Sequence, residues 1–359
     1  MKVPADSKVN KEFTGDLLAD FSAYFRRGFF LAVMPVSRVH LDSPIQYKHG
    51  LVFYPPGWAE LKTLNVAVNR TDTRSHAELA SAASGIDVDL LETHPLVAFP
   101  CMFNCEEFQH GNHQDHCECI RTMSAYVDRV CFNILKFNRC ELGLPDTIPG
   151  RVGSIIPNPM MAGALLYSHE HRRGRIVGGS AFSHAVVKGL GLPLVPLNTR
   201  HFPRSGEVGR IVSHALELFS AALEASTPTL QFVQAISLLE FLADPFEYQS
   251  FKNVKKIIAR YAAKDALQYD RLLDRFHELT GKKADSGEIL GYRTRIVHMG
   301  QRLEEIFPVP ADRRNVLQEL QSYARAVITH MIVRSNESWS DYLELRAELQ
   351  SFQTASKMK

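Results

Sequence analysis

The chain has 359 residues, 45% of them hydrophobic and 22% charged, with a formal net charge of +2 at neutral pH. That length accommodates two domains of ordinary size, each with its own core, and that balance excludes an intrinsically disordered chain. So small a net charge does not mark a nucleic-acid binder by itself, and any basic footprint has to be local.

The amino-terminal stretch MKVPADSKVNKEFTGD has no continuous apolar segment, and the longest early apolar run, Phe29 to Val36, is too short to span a bilayer. The expectation is a cytoplasmic protein with no membrane contact. All six cysteines fall between 101 and 140. That clustering is unlike the spaced framework of a disulfide scaffold and agrees with reduced thiols in a cytoplasm.

Residues 28–70 read as short β-rich segments (FFLAVMPV, LVFYPP, LKTLNVAV) broken by Pro and Gly, and 151–197 repeats that character with LLYS, RIVGG and LPLVPL. Gly178-Gly179-Ser180 reads as a turn, and His169 to Arg173 as an exposed charged turn. Between the two β-rich stretches, Met123, Val127, Cys131, Ile134 and Leu135 recur at helical spacing and predict a helix over 120–138. Residues 1–204 are therefore expected to form a mixed α and β domain.

Within it, CMFNCEEFQHGNHQDHCEC (101–119) concentrates thiols and imidazoles. Cys101 and Cys105, with His113 or His116 and Cys117 or Cys119, can supply four ligands for a tetrahedral structural zinc, although the spacing matches no zinc-finger pattern. A polar surface loop and a set of redox-sensitive thiols are the alternatives. Cys131 and Cys140 read as core residues.

After Arg204-Ser205-Gly206 the pattern becomes purely helical. Val208, Ile211, Val212, Ala215, Leu216, Phe219 and Leu223 form one stripe. A second helix starts at Thr227 as N-cap with Pro228 at its first position, and Pro245 stops it. Further stripes run through Phe251, Val254, Ile257, Ile258 and Tyr261, through Leu272, Phe276 and Leu279, and through Val316, Leu320, Tyr323, Val327 and Met331. A helical bundle over 205–335 hides all these faces, with 336–359 as a carboxy-terminal helical extension. The fold class expected is an α+β domain followed by an all-α bundle.

GYRTRIVHMG (291–300) places two arginines and a histidine between apolar residues and a glycine stop. At 100° per residue, Ile289, Tyr292, Ile296 and Met299 share one stripe, His298 lies roughly 140° from its centre, and Arg293 and Arg295 flank it at about 80° each. The histidine points off its own core. Such a side chain can take a proton from a ribose 2′-hydroxyl or return one to a 5′-oxygen leaving group. Neighbouring guanidinium groups can hold the phosphate and stabilise the charge that builds on it. That chemistry needs no catalytic cofactor. Glu240, set among Leu238, Leu239, Phe241 and Leu242, is costly to bury alone and is expected to pair with Arg293.

Arg293-Thr-Arg-Ile-Val-His298 resembles the R-x4-6-H motif of HEPN-domain ribonucleases, and its setting resembles the Apea-like HEPN family. Leu239-Glu240-Phe241-Leu242 matches the Leu-Glu-x-Leu signature of the helix that precedes the motif there. The similarity covers about 207–335. It implies a HEPN-type bundle that forms a homodimer, with both motifs in one cleft. It also implies RNA as substrate, with Arg293, Arg295, His298 and Glu240 at the catalytic site. Members of this kind serve as effectors of bacterial antiphage or stress defence, which implies for the domain over 1–204 a role in sensing a trigger or selecting the target. Nothing in this chain names the trigger. Where many active members carry Asn, Asp or His after the arginine, this chain has Thr294. A bundle without catalysis, working as an RNA-binding or protein-interaction module, is the alternative.

Overall fold

The computed structural model describes residues 12–65, 86–102, 113–155, 161–180 and 191–355. The chain divides into two compact units, residues 1–135 with 146–197, and residues 136–145 with 198–359.

The first unit is built on β1 (Phe30–Pro35), β2 (Val39–His40), β3 (Ile45–Gln46), β4 (Val52–Tyr54), β5 (Leu96–Cys101), β6 (Met161–Ser168), β7 (Arg173–Ser180) and β8 (Leu192–Pro193). Six of these make one sheet in the order β3-β4-β5-β1-β6-β7, every neighbouring pair antiparallel, while β2 and β8 form a short parallel pair.

Both faces of the sheet are covered, so its central strands are apolar throughout rather than alternating. Leu31, Val33, Val52, Tyr54, Leu96 and Ala98 share a core with Leu17 and Phe25 of two short helices, α1 (Leu17–Asp20) and α2 (Ser22–Phe25). Leu91, from α3 (Val88–Glu92), joins the same core. On the other face lies α4 (His113–Val127), which packs on β6 and β7 and runs through a π-helical turn, 128–132, into α5 (Asn133–Arg139). There Phe53 stacks on Phe132 and Phe99 meets Tyr126.

Two readings of this region change, and one strand is new. LKTL is a 3-10 turn, because Leu61 and Leu64 bury on one side at three-residue spacing, and Asn65 then turns left-handed at φ 46°. Gly178 and Gly179 lie inside β7, opposite Gly163 and Ala162, rather than in a turn. β5 is a strand that the sequence conceals, since Pro100 argues against an interior strand. β4 reaches only to Ala98, so Pro100 lies beyond the doubly paired stretch. The exposed turn expected over His169 to Arg173 is found as the hairpin turn His169 to Arg172, with Arg173 already in β7 and paired to Ser168.

The second unit is helical: α6 (Glu207–Glu224), α7 (Pro228–Ala243), α8 (Phe251–Ala262), α9 (Ala266–Thr280), α10 (Tyr292–Met299), α11 (Leu303–Ile306), α12 (Pro310–Val333) and α13 (Trp339–Ala355). Every residue of the α6 stripe is buried, as are Val316, Leu320, Tyr323, Val327 and Met331 on α12, the helix against which α6, α7 and α8 pack. Thr227 caps α7 by accepting from the Leu230 N–H at 3.2 Å.

Residues 136–145 are fixed to this unit by polar groups. The buried Lys136 Nζ donates to Ser220 Oγ and Glu224 Oε1, and the Gln321 amide accepts from Leu142 N–H while donating to the Cys140 carbonyl. From α13 the buried Arg346 donates to the Ala243 and Leu242 carbonyls at 2.6 and 3.3 Å, closing the end of α7. An α+β region is thus followed by an all-helical one, as the periodicities predict. No helix among the described residues is long and apolar enough to cross a membrane.

Candidate functional site

The two glycines that bound GYRTRIVHMG have separate physical causes. A Cβ on Gly291 would lie 2.5 Å from the Gly281 nitrogen, so the start of α10 can cross the end of α9 only without a side chain. Gly300 adopts φ 70° and ends α10 in the left-handed conformation, its N–H donating to the Arg295 carbonyl.

α10 packs on α7, α9 and α11. Ile296 is buried, the Tyr292 ring meets Phe307 edge-on at 4.9 Å, and the Thr294 hydroxyl donates to the Thr280 carbonyl at 2.8 Å. The last turn stands clear of the bundle, which corrects the expected stripe at both ends. Met299 is 54% exposed rather than packed, and Ile289 precedes the helix, in a bridge with Lys283. Beyond the buried Ile296, residues 297–299 are all exposed. His298 is exposed there as expected, with Val297 beside it at 47%.

The two arginines are held by different partners. Arg293 Nη2 donates to Glu240 Oε1 of α7 at 3.1 Å, and its guanidinium carbon lies 5.5 Å from the Phe251 ring centroid of α8. Arg295 Nε donates to Gln301 Oε1 at 2.7 Å. A further network braces Tyr292. Arg275 makes a forked pair with Glu319, with Nε–Oε1 and Nη2–Oε2 distances of 2.9 and 2.8 Å, and its guanidinium lies 5.9 Å from the Tyr292 centroid. The Tyr323 hydroxyl donates to Glu319 Oε1 at 2.6 Å, and Arg275, with Lys282 after it, holds the Glu278 carboxyl below its usual range.

The structure therefore brings Glu240 of α7 to Arg293, and leaves His298 exposed five residues further along α10. Sequence reasoning missed Gln301 and the site-facing role of Phe251. Gln301 directly follows the glycine stop, where a side chain can fold back on the last turn, and Phe251 had been assigned only to a core stripe.

The Cys/His stretch is arranged otherwise. Cys101 ends β5 and is fully buried, His116 and Cys117 are buried on α4, and Cys119 is half-buried. His113 is the first residue of α4, and Cys105 lies outside the described residues. Residues 113–119 are thus helical, not the surface loop that was one alternative. Burial first, then the nearby Cys119, pushes the Cys101 thiol up, and burial pushes Cys119 up to about 12. Burial likewise raises the Cys117 thiol, so Cys101, Cys117 and Cys119 are weaker nucleophiles than free thiols. No group of three or more His, Cys, Asp or Glu side chains converges among the described residues. The described members alone do not make a zinc ligand set.

No protein-family model matches this chain, and comparison with curated proteins and with solved structures likewise finds no match.

Proposed function

We propose that the helical unit is a HEPN-type endoribonuclease that cuts RNA without a catalytic metal. The observation that carries this reading is the pairing on one short helix of an exposed imidazole, His298, with two arginines whose positions are fixed by Glu240 and Gln301. Fixed guanidinium groups beside an open base suit a reaction in which charge builds on a phosphate.

In this mechanism His298 removes the proton of a ribose 2′-hydroxyl, and the 2′-oxygen attacks the adjacent phosphorus. Arg293 and Arg295 hold the non-bridging oxygens. The phosphorus–5′-oxygen bond breaks, and the leaving oxygen takes a proton from a second imidazole. A homodimer through the bundle supplies that imidazole as the partner copy of His298. The products are a 2′,3′-cyclic phosphate and a 5′-hydroxyl, and DNA, without the 2′-hydroxyl, is not cut. In the cell this makes the protein a cytoplasmic effector of bacterial antiphage or stress defence, with the first unit sensing the trigger or selecting the target.

One observation favours a second reading, an RNA-binding or protein-interaction module. Arg293 is already engaged by Glu240 and Phe251, so a substrate phosphate has to share it. Incubation of the full chain with single-stranded RNA in EDTA separates the two. Cleavage leaving 2′,3′-cyclic phosphate ends supports the nuclease, and intact RNA, or cleavage that EDTA abolishes and added metal restores, contradicts it as stated.

A further inference from the structure

α8 (FKNVKKIIARYA) carries four cations, Lys252, Lys255, Lys256 and Arg260, and no carboxylate, in a chain whose whole formal net charge is +2. Lys252 and Lys256, and again Lys256 and Arg260, are four residues apart, so like charges stand over one another on one face, an arrangement that opposes the helix. Lys252, Lys255 and Lys256 make no ion pair or hydrogen bond with any described residue. The opposite face, with Val254 and Ile258, is buried, as is the small Ala259 on the cationic side. A helix that leaves Lys252, Lys255 and Lys256 unpaired with any described residue, rather than interleaving carboxylates, presents those charges to an anion.

The row connects two features. At its start Phe251 lies under the Arg293 guanidinium of the candidate site, and Lys255 stands one turn further along the same side. At its other end Lys256 and Arg260 line a cleft of about 320 Å³, together with Gln249, Asn253 and the buried Arg346 of α13. The one carboxylate in the cleft wall, Asp244, already accepts from the Phe246 and Glu247 N–H groups and from Gln249. The loop that enters α8 exposes two aromatic rings, Phe246 at 62% and Tyr248 at 88%. Phe246 meets Trp339 edge-on at 5.9 Å, which leaves Tyr248 as the open ring. A cationic helix face entered through an exposed aromatic residue suits single-stranded nucleic acid, phosphates on the cations and a base on the ring.

We infer that α8 is the path of the single-stranded RNA that flanks the cut. The strand leaves Arg293 along Lys255, Lys252 and Lys256 to the cleft at Arg260, with Tyr248 as a stacking platform. This inference rests on the nuclease reading for the position of the cut, but the binding surface is tested separately.

The test is fluorescence anisotropy of the full chain with a labelled 2′-O-methyl oligouridine 12-mer, which cannot be cut, titrated between 50 and 200 mM salt. Lys252→Glu with Lys256→Glu is expected to weaken binding at least tenfold and to flatten the salt slope by about 1.4, since each lost phosphate contact on a single strand removes about 0.7. Tyr248→Ala is expected to weaken binding about fivefold, with Tyr248→Phe restoring it. Circular dichroism matching the wild type shows that the exposed substitutions leave the fold intact. Unchanged affinity and slope in the double variant would overturn the path, as would failure of the wild type to bind the 12-mer. So would α8-dependent capture by anionic phosphatidylserine vesicles with no capture of the 12-mer. If the variant binds normally while His298→Ala abolishes cutting, the path fails and the nuclease stands. If α8 carries binding and no cut product forms, the nuclease reading fails and the path stands.

Discussion

Glu240 holds Arg293: a 3.1 Å ion pair joins the middle of the bundle to the helix that carries His298, with both side chains about a quarter exposed at 28% and 27%. The pair is worth under about 1 kcal/mol of stability at that exposure. Its larger effect is to fix one guanidinium orientation, and positioning of this kind contributes strongly to rate.

Glu240→Ala is therefore expected to lower kcat/KM for RNA cleavage roughly tenfold while shifting stability by less than about 1 kcal/mol. Glu240→Gln, which keeps a hydrogen-bond acceptor, should fall between the variant and the wild type. Steady-state kinetics on a fluorogenic RNA together with urea unfolding checks both parts. A large stability loss with unchanged kcat/KM would make the pair structural only.

The bounding glycines should respond unequally. Gly300→Ala meets open space and pays only for the left-handed backbone, about 1–2 kcal/mol. Gly291→Ala should cost more, since the added carbon would stand 2.5 Å from the Gly281 nitrogen and the crossing of α9 by α10 would have to open. Urea midpoints of the two variants give the comparison, and an equal or reversed order would contradict the assigned causes.

Stability should fall on mild acidification through His330. Its imidazole is held below the ordinary histidine value, by burial first, then by Arg334 and Arg346, with Glu337 opposing. The unfolded chain binds this proton near pH 6.5 and the folded chain does not, so stability is full above that pH. It declines as the pH drops below it, and the decline levels off once the folded imidazole itself is protonated. The Nδ1 atom lies 3.1 Å from the Tyr342 hydroxyl, so His330→Gln retains a polar partner and should shrink the loss of unfolding free energy between pH 7.5 and 5.5. An unchanged pH dependence in that variant would rule out His330 as its source.

The helical half was legible because its long helices carry buried stripes, as with Val208 to Leu223 and Val316 to Met331. The sheet was less so. β5 carries Pro100, and β7 carries two glycines where the sequence suggests a turn. β5 is set by β1 and β4, both far along the chain and invisible to local rules, whereas the glycines of β7 are held by β6 across the hairpin turn 169–172, in agreement with the β reading of RIVGG. At the site, Arg293, Glu240 and the outward direction of His298 follow from spacing and apolar context. The exposure of Met299 does not, because helix phase alone cannot say how far the packed surface extends along an eight-residue helix. The cations of α8 were visible as letters, but their alignment with a cleft and with Phe251 needed the fold.

The central claim is that His298 acts on RNA. It is tested most directly by comparing wild type and His298→Ala on the same RNA and analysing the new ends. His298 is exposed, so the variant should unfold within about 0.5 kcal/mol of the wild type. Its rate should fall by about 100-fold or more, the contribution expected of a proton-transferring group, and the wild type alone should accumulate 2′,3′-cyclic phosphate ends. A folded His298→Ala protein that cuts RNA at the wild-type rate would contradict the account.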